Sequence, residues 1–195
     1  DSAERALKWG LTPVLHDERS VGLALGLGRS SAPLSVEVEI DTGMRRMGIA
    51  PDVAPALLRQ ITGAAQLVLA GVYTHLARAD EDDLAPSREQ AARFAKIVSA
   101  PGVAGVQPTL HIANSGGLFR LEAIEGDIDG LETRAVRPGL MLYGVSPITD
   151  RSPDRSPDRS PDRSAEALGL RPVMTLAARV VAVRDVAPGE GVGYG

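Results

Sequence analysis

The sequence predicts an α/β protein built on a parallel sheet, on three observations. Short apolar segments of strand character alternate with segments of helical spacing, the pattern of βα units. One of them, Leu67-Val68-Leu69-Ala70-Gly71-Val72-Tyr73-Thr74, is almost continuously apolar, as strands are when helices cover a parallel sheet. Another, Leu34 to Ile40, alternates strictly and is rich in β-branched residues, so one face is apolar and the other is not.

Taken in order, Ala3 to Gly10 reads as a helix end capped by Gly10, since a C-terminal cap favours a residue with no Cβ. Thr12-Pro13-Val14-Leu15 is a short strand, and Asp17 to Leu25 returns to helical spacing interrupted by Gly22. After the strand Leu34–Ile40, Pro51 to Ile61 is helical, with Pro at a first-turn position. The strand at 67–74 follows. Ser87 to Val98 is an amphipathic helix with Ala91, Phe94, Ala95 and Val98 on one face. Gln107 to Ala113 is a strand, Leu118 to Leu121 a short helix, and Arg134–Arg137 with Leu140–Tyr143 the last strand region. A doubly wound sheet and a (β/α)8 barrel both accommodate this order, and the barrel requires further strands at the N-terminal side.

Ser146 to Ser164 breaks the pattern with a repeated Ser-Pro-Asp-Arg unit, a low-complexity connector with little to bury. Beyond it, Val173 to Val186 reads as a long strand, Pro188-Gly189-Glu190 as a turn, and Gly191 to Gly195 as a returning strand, the start of an antiparallel β domain. The expected organisation is therefore a partial barrel over 1–145, a connector over 146–168 and the beginning of a β domain over 169–195. A chain that opens at Asp1 without Met and stops at Gly195 within a hairpin is expected to be a fragment of a longer protein.

Composition narrows the function. The 195 residues are 44% hydrophobic and 24% charged, ordinary globular values. A net charge of −4 gives no footprint for nucleic acid. The absence of Cys and the presence of three His remove thiolate chemistry and leave little for a metal centre. No apolar run approaches the ~18 residues of a membrane span, and no signal peptide is visible, so the expected location is cytoplasmic. The cations are almost all Arg, Lys8 and Lys96 being the exceptions.

Candidate chemistry lies at the C-terminal ends of the strands, where active sites of parallel α/β folds gather. Glu37, Glu39 and Asp41 share one face of their strand; they read either as a solvated edge or as interior carboxylates that need cations such as Arg45 or Arg46. His75 follows the buried strand and reads as a site residue or as a hydrogen-bonded structural one. Asp80 to Asp83 reads as a solvated loop. Asn114-Ser115-Gly116-Gly117 offers a hydroxyl and backbone N–H groups to an anion, and in Arg137-Pro138-Gly139-Leu140 the glycine lets backbone approach a ligand. Tyr194, between two glycines, reads on pattern alone as a packing residue.

Together these residues resemble the bacterial alanine racemases. Val38-Glu39-Ile40-Asp41-Thr42-Gly43-Met44-Arg45-Arg46-Met47-Gly48 is similar to the family's DTGM-x-R-x-G strand, and Gly71 to Asp80 to its G-x-YTH-x-A-x-AD segment. His111-Ile112-Ala113-Asn114-Ser115 resembles its H-x-ANS, and Arg137-Pro138-Gly139-Leu140-Met141-Leu142-Tyr143-Gly144 its RPG-x-x-LYG. Leu170 to Met174 and Gly189 to Gly195 resemble the opening of its C-terminal domain.

The resemblance implies a fold-type III pyridoxal 5'-phosphate enzyme: the later part of a (β/α)8 TIM-type barrel followed by the start of an antiparallel β domain. The implied activity is isomerase chemistry on L- and D-alanine for peptidoglycan, in a homodimer. It implies that Ser115, Gly139 and Leu140 hold the phosphate with Asn114 nearby, that Arg137 faces the pyridine nitrogen with His75 supporting it by a hydrogen bond, and that Arg46 serves the cofactor's phenolic oxygen and the substrate carboxylate. Tyr194 matches one of two catalytic bases and would act in the partner's site. The other base, a Lys that also carries the cofactor, matches neither Lys8 nor Lys96, so it is expected outside this chain, and the chain alone is expected to be inactive. Glu39 stands where many members have a Lys, and its expected partner is Arg46. A racemase acting on serine or another small amino acid, and a non-catalytic cofactor-binding barrel protein, are the alternatives.

Overall fold

The computed structural model describes residues 2–27, 32–103, 105–126, 128–148, 164–177, 179–180, 183 and 187–189. Helix α1 (Ser2–Trp9) leads through Gly10, at φ 60, into strand β1 (Val14–Leu15), the left-handed cap that glycine accommodates. Helix α2 (Glu18–Leu25) starts at Asp17, whose carboxylate accepts from the Ser20 N–H at 2.6 Å while Ser20 Oγ accepts from the Asp17 N–H, a reciprocal cap. Strand β2 (Leu34–Glu39), helix α3 (Ala54–Thr62), strand β3 (Leu67–Tyr73), helix α4 (Ala85–Val98) and strand β4 (Thr109–His111) follow. Two short helices, α5 (Ser115–Leu118) and α6 (Leu121–Glu125), close this series.

The four strands form one sheet in the order β1-β2-β3-β4, all parallel. Sequential parallel neighbours joined by helices are what a barrel arc requires. The helix-facing side of the sheet is the core: Val36, Val38, Ile40 and Val72 pack with Leu58 and Ile61 of α3 and Phe94 of α4, all fully buried. The opposite side carries the polar residues.

One irregularity decides which side chains reach that polar side. Val36 pairs with Leu69, but Glu37 pairs with Gly71, so Ala70 is an extra residue in β3. Strict alternation would place Tyr73 on the same face as Leu67 and Leu69. The bulge reverses the alternation, so Val72 joins the core and Gly71 and Tyr73 turn to the side of Glu37 and Glu39. The pairs Glu39–Tyr73 and Tyr73–His111 then form one row across three strands.

Several sequence expectations change. Leu140–Tyr143 is a 3-10 turn rather than a strand; Pro138-Gly139 before it and Gly144 at φ 78 after it close the backbone into a turn. Arg134–Arg137 makes only one bridge, Arg137 to Asn114, in place of a strand. The helix expected from Pro51 begins at Ala54, with Pro55 in its first turn. The helix expected at Leu118–Leu121 is instead the pair α5 and α6, broken at Phe119-Arg120. Strand β4 is shorter than expected because Gln107 sits at φ 52, outside extended geometry. The described residues between 173 and 186 carry no strand. The repeat at 151–163 and the returning strand at 191–195, with Tyr194, lie outside the described residues.

Candidate active site

The C-terminal ends of β2, β3 and β4 and the loops beyond them bring together most of the residues singled out in the sequence. Arg137 stands at the centre. Its Nη1 donates to His111 Nδ1 at 2.5 Å and to the His111 carbonyl at 3.2 Å, and its Nη2 donates to the Thr74 carbonyl at 2.7 Å. The guanidinium carbon lies 4.3 Å from the centre of the Tyr73 ring, a cation–π contact. Burial lowers the proton affinity of Arg137, and the charges of Glu39 and Glu37 act against that; an arginine still remains a cation and a donor.

The support expected from His75 is supplied by His111 instead. His75 follows β3 by two residues and its Nε2 lies 3.5 Å from Asn114 Nδ2, so its ring turns toward the Asn114 loop. His111 lies in β4, beside Tyr73 in the sheet register, which aims its ring at the guanidinium. Because Arg137 can only donate, His111 Nδ1 must accept, and the neutral ring carries its proton on Nε2. Burial and then the Arg137 charge push the His111 imidazole down to about 4. Burial, Arg137 and Arg46 likewise push His75 below its ordinary range.

Glu39 faces the interior, 7% exposed, but its partner is the Tyr73 phenol rather than Arg46. Burial first, and the Glu39 carboxylate second, raise the Tyr73 hydroxyl to about 12. Arg46 is exposed and forms no ion pair with Glu39 among the described residues. The cause is the loop between them. Asp41 Oδ1 accepts from the amides of Gly43 at 2.9 Å and Arg45 at 3.0 Å, closing a turn in which Arg45 takes φ 58. Asp41 therefore caps backbone rather than sharing the interior with Glu37 and Glu39. Arg46 still reaches the site through its charge on His75.

Two loops meet at the anion-binding candidates. The buried Ser115 Oγ accepts from the Gly139 N–H at 2.7 Å, and Leu140 opens the 3-10 turn directly after it. Asn114 caps α5: its Oδ1 accepts from the Gly117 N–H at 2.9 Å, and its Nδ2 donates to the Leu76 carbonyl at 3.0 Å. Both ends of its amide are thus engaged by backbone. A Cβ at Gly116 would lie 3.0 Å from the Ala79 and Asp80 backbone, so only glycine lets the 77–83 loop rest on this turn. That loop is anchored rather than freely solvated: buried Arg120 donates to the Glu81 carbonyl and faces Asp82, and Arg78 pairs with Glu81.

Sequence reasoning missed a bracket beneath these loops. Gln90 of α4 accepts from the Ala77 N–H at 2.9 Å and donates to the His75 carbonyl at 3.1 Å and to Thr42 Oγ1 at 3.2 Å. Thr42 and Thr74 share a buried hydroxyl hydrogen bond of 2.7 Å, and Arg93, one turn from Gln90, donates to the Thr42 carbonyl. A polar residue in an otherwise apolar helix face was the available signal. Among the described residues no group of acidic or His side chains could hold a metal ion, and no helix is long and apolar enough to cross a membrane.

Comparison with known proteins accounts for this arrangement. An alanine racemase of Acidithiobacillus ferrooxidans is 36% identical over 93% of this chain and 44% of its own length. The crystal structure of the biosynthetic alanine racemase from Pseudomonas aeruginosa covers 100% of this chain and 48% of that one, at 29% identity and a TM-score of 0.74. The alanine racemase from Bartonella henselae, solved with covalently bound pyridoxal phosphate, shares the fold over 78% of this chain and 42% of that one, at 23% identity and a TM-score of 0.62. The chain thus spans less than half the length of these relatives. The family model described as "Alanine racemase, N-terminal domain" matches residues 1–147, and with the strand-end cluster around Arg137 inside that span, the chain belongs to this family.

Proposed function

We propose that the intact protein interconverts L- and D-alanine with pyridoxal 5'-phosphate, and that this chain supplies much of the cofactor's seat. The observation that carries the reading is the convergence of Arg137, held by His111 and Thr74, with the Ser115–Gly139 contact on the same strand ends. These residues fit the cofactor's two polar ends. A hydroxyl and backbone N–H groups at Ser115, Gly139 and Leu140 suit a phosphate. A fixed guanidinium suits an aromatic nitrogen that only accepts, and Arg137 would hold that nitrogen unprotonated. When bound, the cofactor supplies the electron sink that acidifies the Cα–H of the amino acid.

The remaining assignments follow the same reading. Arg46 attracts the substrate carboxylate, and His75, whose proton affinity is lowered by burial and then by Arg137 and Arg46, lies beside the site. Asn114 shapes the turn that presents Ser115. Tyr194 takes or returns the Cα proton on one face, in the site of a partner copy in a cytoplasmic homodimer, and a Lys outside this chain works on the other face. The test is the intact protein with L-alanine in deuterated water. D-alanine carrying deuterium at Cα, dependent on added pyridoxal 5'-phosphate, supports the reading. Turnover of L-serine in preference to L-alanine would redirect it to another small amino acid, and no cofactor binding would overturn it.

A further inference from the structure

We propose that Glu37 is a positioning residue for Arg137, acting through His111. The inference rests on the racemase reading for its catalytic consequence, but not for its geometry. Glu37 lies one turn of the pleat before Glu39 on the interior side of β2, opposite Gly71. A Cβ at position 71 would lie 3.0 Å from Glu37 Oε1 and 3.1 Å from its Cδ. The missing side chain is therefore what lets the carboxylate lie across β3 toward β4. There, Glu37 Oε2 is 3.5 Å from His111 Nε2.

That nitrogen is the one left over. His111 Nδ1 accepts from Arg137, so Nε2 must carry the proton, yet Nε2 is buried with no hydrogen-bond partner among the described residues. A buried N–H without an acceptor costs about 1–3 kcal/mol, and a small rotation of the Glu37 carboxylate closes the gap. The chain of contacts then runs from the Glu37 carboxylate to Nε2–H, across the imidazole, and from Nδ1 to the Arg137 guanidinium. Each link has one direction, because the carboxylate only accepts and the guanidinium only donates. Glu37 thereby holds His111 in a single tautomer and ring orientation, as carboxylates do for metal-bound or catalytic histidines. Arg137 in turn keeps one fixed plane. Glu39 cannot substitute, since it serves the Tyr73 phenol.

The test uses the intact protein with 15N-labelled histidine, His111 being assigned by its loss in His111→Gln. Without cofactor, the long-range 15N–1H spectrum should show His111 as the Nε2–H tautomer. Glu37→Gln, which keeps an acceptor oxygen, should preserve that signature. Glu37→Leu should give a mixed tautomer, and Gly71→Ala should do the same by displacing the carboxylate while leaving it in the sequence. In turnover, Glu37→Leu should lower kcat about tenfold with KM little changed, and Glu37→Gln should restore most of it. A His111 spectrum in Glu37→Leu identical to that of the unmodified protein would overturn the proposal. The spectrum reads the relay whether or not alanine is racemised, so failure of the proposed activity is recognised separately.

Discussion

Tyr73 and His111 are paired across β3 and β4, and their rings stack with centroids 4.8 Å apart at 25°. The stack is a consequence of the bulge at Ala70, which turns Tyr73 from the helix side of the sheet to the interior. It gives Arg137 a double support: its guanidinium lies against the Tyr73 ring while donating to the neighbouring imidazole. A cation held by an aromatic face and a neutral acceptor keeps its positive charge undiminished toward the interior, which a carboxylate partner at contact distance would neutralise.

The Tyr73 phenol should ionise only near pH 12, since burial and the Glu39 carboxylate both oppose a phenolate. Ultraviolet difference titration of the unmodified protein against Tyr73→Phe should isolate the Tyr73 transition, and Glu39→Gln should lower its midpoint by removing the second of the two causes. A group whose folded pKa is raised contributes stability that is fully present below the unfolded value and is lost as pH rises toward the folded one. Folding stability should therefore fall between about pH 10 and 12, and less so in Tyr73→Phe.

His111 makes the opposite prediction on the acid side. Its folded pKa of about 4 lies below the ordinary 6.5, so the unfolded chain binds the extra proton between those values. The associated stability is complete above pH 6.5 and is lost progressively as pH falls to 4. Urea unfolding at pH 7 and pH 5 measures the loss. Carboxylates contribute to any such slope, so the decisive quantity is the difference from His111→Asn, whose stability should depend less on pH over that window.

The fold was legible where local chemistry and global architecture agree. Gly10 marks a helix end by its own backbone preference, and the helix face of Ala91, Phe94, Ala95 and Val98 carries the 3.6 period into the core, whereas the proline that opens α3 is Pro55 and not the expected Pro51. The motif loops showed which residues cluster, but not which side chains touch. Tyr73 and His111 were hidden because the Ala70 bulge breaks the alternation from which facing is read. The Glu39–Arg46 pair failed because the Asp41 turn, a local hydrogen-bond choice, carries Arg46 to the surface. Leu140–Tyr143 reads as strand from its apolar run, whereas the flanking glycines bend it into a turn.

Ser115→Ala tests the phosphate assignment in the intact protein. The hydroxyl already joins the Gly139 N–H, and losing a hydrogen bond to a charged group costs roughly 1.5–3 kcal/mol. Pyridoxal 5'-phosphate should therefore bind at least about tenfold more weakly, read by titrating its absorbance. Pyridoxal without the phosphate should bind the variant and the unmodified protein alike. Equal weakening of both would move Ser115 away from the phosphate.

Gln90 should prove to be the residue that fixes the two motif loops to each other. Gln90 is 4% exposed, and its carboxamide makes three contacts: it accepts from the Ala77 N–H and donates to the His75 carbonyl and to Thr42. Its stem also fills the space beside Gly43, where a Cβ would lie 3.1 Å from Gln90 Cγ. Gln90→Met keeps the volume and removes both polar ends, leaving a buried N–H and a buried carbonyl to find water, at a cost of about 1–3 kcal/mol each. Gln90→Glu keeps the acceptor for Ala77 but, when ionised, turns an oxygen toward the His75 carbonyl and repels it; when protonated, it can donate there again. Urea unfolding should thus show Gln90→Met destabilised at every pH and Gln90→Glu recovering part of its loss below about pH 5. If Gln90→Glu instead tracks Gln90→Met at all pH values, the donor half of the amide contributes nothing, and the loops are held by Arg93 and the Thr42–Thr74 hydroxyl pair alone.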